Sequence, residues 1–113
     1  MEPIPYFYDS INRSAIIVKA KQPFFDWMNA LDPENPVETP TDGTVYLVKF
    51  ANNNNTVEKW LKRNFDKIFI NELNDWWTDE DDWPQKRTYK LFTEWLDTEV
   101  QATVLDIEET EIN

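Results

Sequence analysis

The sequence predicts a single α+β domain with a small, mostly antiparallel three-stranded sheet and about three helices packed on one face. Its 113 residues are close to the commonest size of one domain. Three short segments are β-branched or alternating, and apolar residues recur at helical spacing between them. The resulting order is β-α-β-α-α-β. Three strands cannot divide three amphipathic helices between two layers, so we expect the helices on one side.

The first third of the chain predicts an arm, a strand and a helix. Residues 1–12 contain two prolines and three consecutive aromatic residues, and we expect this arm to pack its rings on the domain. Ser14–Ala20 is short and β-branched, which is typical of a strand. A helix then begins at Pro23 and ends before Pro33. Its apolar stripe consists of Phe24, Trp27, Met28 and Leu31.

The next segments predict a long loop and a second strand. The loop runs from Asp32 to Gly43 and contains three prolines and the single glycine of the chain. Thr44–Phe50 alternates, with Tyr46 on one side and Val45 on the other. Because both faces carry apolar residues, we expect this strand to be central in the sheet.

The longest helix is predicted from about Thr56 to Leu73. Asn55 followed by Glu58 has the spacing of a capping box. The polar face carries four basic residues between Lys59 and Lys67, which we interpret as a solvated surface. The apolar stripe consists of Val57, Trp60, Leu61, Phe65, Ile68, Phe69 and Leu73.

The C-terminal third predicts one more helix and one more strand. Pro84 is expected to open the helix, and its stripe ends at Leu96. A strand follows from Thr98 to Ile107, and residues 108–113 form a short acidic tail. The tryptophans of the three helical stripes are predicted to lie in the core, and they are Trp27, Trp60 and Trp95.

Several residue types are missing from the chain, and their absence limits the catalytic and metal-binding chemistry open to it. The chain has no histidine, no cysteine and one glycine, so it lacks the usual ligands for zinc, an imidazole base, a thiolate and a glycine-rich phosphate loop. No apolar run approaches the length of a membrane span, and the first residues do not read as a secretory signal. We therefore expect no cofactor, no metal and a cytoplasmic location.

The net charge is -11 and the isoelectric point is near 4.3. A field of this sign repels nucleic-acid phosphates and anionic lipids, so we expect neither nucleic acid nor membrane as a partner. It attracts a basic protein surface. Solubility alone is the other interpretation of the charge.

The segment from Glu72 to Pro84 holds six carboxylates and three of the six tryptophans. Calcium-loop spacing from Asp79 fails, because Trp83, Pro84 and Lys90 occupy positions that need an oxygen ligand, a glycine and a glutamate. Two other functional interpretations remain: a carboxylate pair of the kind glycosidases use, and an acidic surface with tryptophan anchors for a partner. The candidate partner-binding residues are Asp75, Trp76, Trp77, Asp79, Glu80, Asp81, Asp82 and Trp83.

A purely structural interpretation competes with these. In it the three tryptophans form a hydrophobic plug beneath the turn between two helices. The aspartates face water and cap the last helix near the positive N-terminal end of its dipole. One buried ring and one exposed ring would agree with both interpretations.

Five segments together form a pattern that carries a family resemblance: Asn12–Val18, Gln22–Trp27, Trp76–Glu80, Trp83–Pro84 and Arg87–Tyr89. In this pattern the chain resembles a family of small, uncharacterised, acidic bacterial proteins, and the resemblance implies no activity, ligand or catalytic residue. Size, charge and tryptophan content are also loosely similar to those of barstar-like and immunity-type inhibitor proteins.

Taken together, these observations predict a non-enzymatic, soluble interaction protein whose acidic surface meets a basic protein. A small hydrolase that uses carboxylates of residues 72–82 is one alternative, and a cleft holding carboxyls with raised pKa would favour it. An orphan structural domain with no dedicated ligand is the other.

Overall fold

A computed structural model of the protein describes residues 10–38 and 42–108. The predicted order of strands and helices is confirmed. Most of the predicted N-terminal arm and of the acidic tail lies outside the described residues. The elements are β1 (Arg13–Ala20), α1 (Gln22–Leu31), β2 (Thr44–Lys49), α2 (Asn54–Trp76), a 3-10 turn (Glu80–Asp82), α3 (Tyr89–Trp95) and β3 (Leu96–Gln101).

The three strands form an antiparallel sheet in the order β2-β1-β3. The prediction that the second strand is central was wrong, because β1 occupies that place. Ile16 of β1 lies opposite Tyr46 and Val100 and is fully buried beneath the helices. On the other face, Val45 and Leu47 of β2 are 58% and 49% exposed. Apolar residues on both faces of a strand therefore did not mean that both faces are covered.

The core lies between the sheet and the helices, and aromatic rings make up much of it. Phe24 of α1, Phe69 of α2 and Phe92 of α3 are each fully buried. The Trp95 ring stands 5.9 Å from the ring centres of both Phe24 and Phe69, in edge-to-face arrangements. Trp27, Trp60 and Trp95, predicted as core, are half-buried and pack against its margin.

The N-terminus of α2 differs from the prediction. Asn53, not Asn55, caps the helix: its Oδ1 accepts the backbone N–H of Thr56 at 2.9 Å. The next residue explains the choice, since Asn54 Oδ1 accepts the backbone N–H of Ala102 at 2.7 Å. Helix α2 also runs three residues beyond the predicted end at Leu73, and the ring of its last residue packs on the Phe25 ring.

The last two elements also begin and end elsewhere than predicted. Thr88, not Pro84, caps α3, with its Oγ1 accepting the backbone N–H of Leu91 at 3.1 Å. Strand β3 begins at Leu96 and ends at Gln101, short of the predicted Ile107. Beyond β3, an isolated antiparallel bridge joins Ser10 to Leu105. Compared with the register of β1 and β3, the chain leading to Ser10 has one extra residue, as in a β-bulge. Among the described residues no helix is long and apolar enough to cross a membrane.

Candidate functional site: the acidic segment and its cleft

The acidic segment, defined here as Asp75–Trp83, links α2 to the turn before α3. Asp75 and Trp76 lie in the last turn of α2. The Trp77 backbone N–H donates to the Leu73 carbonyl at 2.9 Å and ends the helix. Asp79 then caps the 3-10 turn, with its Oδ1 accepting the Asp81 N–H at 3.1 Å. Its conformation is therefore set by helix-end hydrogen bonds.

Three indole N–H groups hold this segment in place. Trp77 Nε1 donates to Asp82 Oδ2 at 2.9 Å, and Trp83 Nε1 donates to the Trp77 carbonyl at 2.7 Å. From the first helix, Trp27 Nε1 donates to the Asp82 carbonyl at 3.0 Å. An indole supplies a large apolar surface together with one donor, so each ring both packs and ties down a loop carbonyl or carboxylate.

The three tryptophans of the segment have different surroundings. Trp83 is 8% exposed and belongs to the core, Trp77 is half-buried, and Trp76 is 42% exposed. One ring is thus buried and another is exposed, an arrangement that agrees with both the structural and the partner-binding interpretation.

The predicted carboxylates lie at the surface. Asp75, Asp79, Glu80, Asp81 and Asp82 are all exposed. Within the described part of the chain, no Lys or Arg side chain forms an ion pair with any of them. The ion pair formed by Arg87 with Asp66, at 2.7 Å, lies outside the acidic segment. The structure therefore brings these carboxylates together without neutralising them.

Beside the segment is a cleft of about 400 Å³, which we call the acidic cleft. Its floor is apolar, and Asp42 and Asp75 lie at its rim beside Trp76. Gly43 also lines it, at a point where a Cβ would stand 2.6 Å from the Val18 carbonyl oxygen. Only glycine fits this close approach of two backbones. The remaining lining residues are Val18, Ala20, Phe25, Thr44 and Glu72.

Glu72 is absent from the predicted partner-binding residues, although the hydrolase alternative, with carboxylates of residues 72–82, included it. It is 7% exposed, and the Tyr46 hydroxyl donates to its carboxylate while Asn71 Nδ2 donates to the Tyr46 oxygen at 2.9 Å. Burial raises the pKa of Glu72, and the negative charge of Asp75 adds to this rise, while the Tyr46 hydrogen bond opposes it. Burial and the bond to Glu72 also raise the pKa of Tyr46, which keeps its phenol protonated.

A sequence signal for Glu72 exists. Glu72 follows Ile68 and Phe69 by four and three residues, so helical spacing puts it on the buried stripe of α2. A carboxyl on such a stripe needs a polar partner. Its partner Tyr46 and the cleft residue Asp42 come from distant parts of the chain, and no local spacing connects them.

The chemistry of this region suits a cation. An exposed indole beside two exposed carboxylates and one buried carboxyl offers charge attraction and a ring face to an ammonium or guanidinium group. No group of three or more carboxylates in the described ranges is arranged to hold a metal ion. Comparison with protein-family models, with curated proteins and with solved structures gave no match to this chain.

Proposed function

We propose that this protein is a non-enzymatic binding protein that presents its acidic segment to a basic protein. The observation that carries the proposal is a block of exposed carboxylates that pair with no cationic side chain of the described chain. They lie on a segment that indole hydrogen bonds hold at two backbone carbonyls and at the Asp82 carboxylate. Surface carboxylates kept for solubility do not need this fixed arrangement.

The exposed Trp76 ring gives the same surface an apolar contact. Binding energy at interfaces concentrates in a few aromatic and charged residues surrounded by a polar rim. Trp76 lies between the acidic cleft and a shallower depression lined by Trp77 and Asp79. A lysine or arginine of the partner, placed beside this ring, would contact carboxylates on both sides.

The test is the association rate with a basic protein recovered by affinity capture and then purified. Long-range attraction between opposite charges accelerates association and is screened by salt. The variant Asp79→Asn/Asp81→Asn/Asp82→Asn should lower the association rate and its salt dependence while leaving the fold intact. Asparagine retains the side-chain oxygens that accept from the Asp81 N–H and from Trp77.

A matched control removes the same charge elsewhere. Glu34, Glu38 and Glu94 are exposed and lie outside the acidic segment. Their triple change to glutamine should leave most of the association rate unchanged. If both triple variants slow association equally, total charge rather than the acidic segment guides the partner. If neither does, the proposal is wrong.

One observation favours a second candidate function, a small carboxylate-dependent hydrolase. Glu72 is a buried carboxyl with a raised pKa in a cleft that also holds Asp42 and Asp75. A carboxyl whose pKa is raised by burial is suited to donate a proton to a leaving group. Chromogenic glycosides and esters test this candidate. Turnover by the native protein that Glu72→Gln abolishes would support it, and turnover at the buffer rate would count against it.

A further inference from the structure

The outer edge of β3 borders a broad groove. The groove has a volume of about 710 Å³ and is lined along one side by four consecutive residues, Thr98–Gln101. Its other side is formed by α2 side chains between Asn54 and Lys62, and Tyr89 of α3 also lines it. Strand β3 is the last strand of the sheet, so no other described strand pairs with this edge.

The hydrogen-bond register shows which backbone groups face the groove. The Lys21 N–H donates to the Trp95 carbonyl at 2.8 Å, in the same register that pairs Lys19 with Asp97. Because antiparallel pairs alternate, Glu99 bonds to β1 and the backbones of Thr98 and Val100 point outward. Just beyond the strand, the Ala102 N–H points in the same outward direction and donates to Asn54 Oδ1 on α2, while the Ala102 carbonyl accepts from Ser14 Oγ of β1.

Both ends of this edge are already closed. At one end the Leu96 N–H donates to the Phe92 carbonyl as the cap of α3. At the other end Asn54 occupies the place that the acceptor of a neighbouring strand would take. Between these caps, the N–H and C=O groups of Thr98 and Val100 face the groove with no partner in another element of the described chain. The free edge is thus a short window and matches a segment of about five residues.

Charge determines what fits this window. Lys59 and Lys62 stand on the helix side of the groove beside Glu58, so basic side chains of an incoming strand are disfavoured there. Although the Glu99 backbone borders the groove, the side chains of Asp97 and Glu99 alternate with the buried Leu96 and Val100 and so project from the opposite face of the sheet. Both residues are exposed there, and Lys19 of β1 lies opposite Asp97. An added strand sends alternate side chains to these two faces, so its basic residues would lie beside the two carboxylates.

A second copy of this chain fits poorly. In the antiparallel register that uses both outward residues of each copy, Thr98 of one copy pairs with Val100 of the other, and Glu99 lies directly opposite Glu99. Like charges directly opposite each other destabilise a strand pair.

We propose that the outer edge of β3 binds an extended segment of a basic protein as a fourth, antiparallel strand, with Lys or Arg at every second position facing Asp97 and Glu99. The intervening residues are small and apolar, and they lie against Leu61 and Val100 in the groove. The basic character of the segment rests on the proposed function, whereas the use of this edge does not.

Two isomeric peptides test the edge on the unmodified protein. Each is acetyl-Lys-Val-Lys-Val-Lys-amide, with N-methyl groups either on both valines or on two lysines. In the proposed register the valine N–H groups lie opposite Thr98 and Val100 and bond to β3, while the lysine N–H groups point away. We expect the lysine-methylated peptide to shift the amide resonances of these two residues, and the valine-methylated peptide to bind roughly tenfold more weakly. Equal affinity, or the reverse order, would overturn the proposal.

A variant pair and a charge control separate this proposal from the proposed function. Thr98→Pro removes an outward N–H that β1 does not use, so the fold should persist and peptide binding should be lost, while Thr98→Val should bind normally. A corresponding Glu-Val-Glu-Val-Glu peptide should bind more weakly than the lysine peptide, and tighter binding would overturn the charge assignment. The Asp79→Asn/Asp81→Asn/Asp82→Asn variant should bind the lysine peptide at the same edge, whatever its effect on the whole partner.

Discussion

Glu72 shows how a single residue connects stability to the candidate site. Its carboxyl is buried and its pKa is raised, so the folded protein holds this proton at a pH where the unfolded chain has released it. The stabilisation from this proton is complete below the ordinary carboxyl pKa. It is lost as pH rises from there through the raised value. Once Glu72 is ionised, its buried negative charge lies near that of Asp75, which is unfavourable.

We therefore predict that Glu72→Gln changes the pH dependence of stability. Glutamine keeps the size and an acceptor for the Tyr46 hydroxyl but carries no charge. Between the ordinary carboxyl pKa and the raised pKa of Glu72, the free energy of unfolding of the native protein should fall relative to that of the variant. The fall should be up to about 1.4 kcal/mol per pH unit. Urea melts between about pH 4 and pH 8 measure this difference. The exposed Glu58→Gln is the control, and parallel profiles for Glu72→Gln and the native protein would contradict the assignment.

The neighbouring tryptophans Trp76 and Trp77 should behave differently when each is replaced by alanine. Trp77→Ala removes the donor to Asp82 and a half-buried ring, so we predict a loss of about 2 kcal/mol in the free energy of unfolding. Trp76→Ala should lose less stability than Trp77→Ala, because the Trp76 ring is 42% exposed, but it should accelerate dissociation of a basic partner. Chemical denaturation and dissociation kinetics measure the two effects, and a larger stability loss at Trp76 would reverse the assignment.

At the scale of elements, periodicity predicted the helices and strands in their correct order because each buries one side. What failed depended on contacts between elements. The alternation of β2 did not show that Val45 and Leu47 stay exposed, since that depends on where the helices pack. In the acidic segment, composition could not show which ring is buried, because Trp27 of α1 helps to position the loop.

The asparagine run gives an element-scale prediction. Each of the four consecutive asparagines can cap a helix, and the spacing to Glu58 favoured Asn55. In the structure Asn53 is the cap, next to Asn54, which binds the Ala102 N–H. Asn53→Ala should therefore lower the free energy of unfolding by about 1 kcal/mol, through loss of the bond to the Thr56 N–H. Asn55→Ala is the matched control and should stay within about 0.5 kcal/mol of the native protein. Urea melts distinguish them, and equal losses would place the cap elsewhere.

At the scale of the whole molecule, charge affects folding and association in opposite ways. Twenty-two acidic residues against eleven basic ones make the compact state repel itself. The acidic segment concentrates this repulsion, because no cationic side chain of the described residues pairs with its carboxylates. The same carboxylates are the ones proposed to attract a basic partner. Added salt weakens both the repulsion and the attraction, so it should favour the folded state and disfavour association.

Salt should therefore raise the thermal stability of the isolated protein while slowing its association with a basic partner. Raising ionic strength from 0.01 to 0.1 M shortens the screening length from about 30 to about 10 Å, which weakens repulsion between distant carboxylates. We predict a rise in Tm of a few degrees, measured by circular dichroism. The variant Glu34→Gln/Glu38→Gln/Glu94→Gln carries three fewer negative charges and should show a smaller rise. A Tm that falls with salt would mean that favourable ion pairs outweigh repulsion. Repulsion among the carboxylates of the acidic segment would then not destabilise the fold.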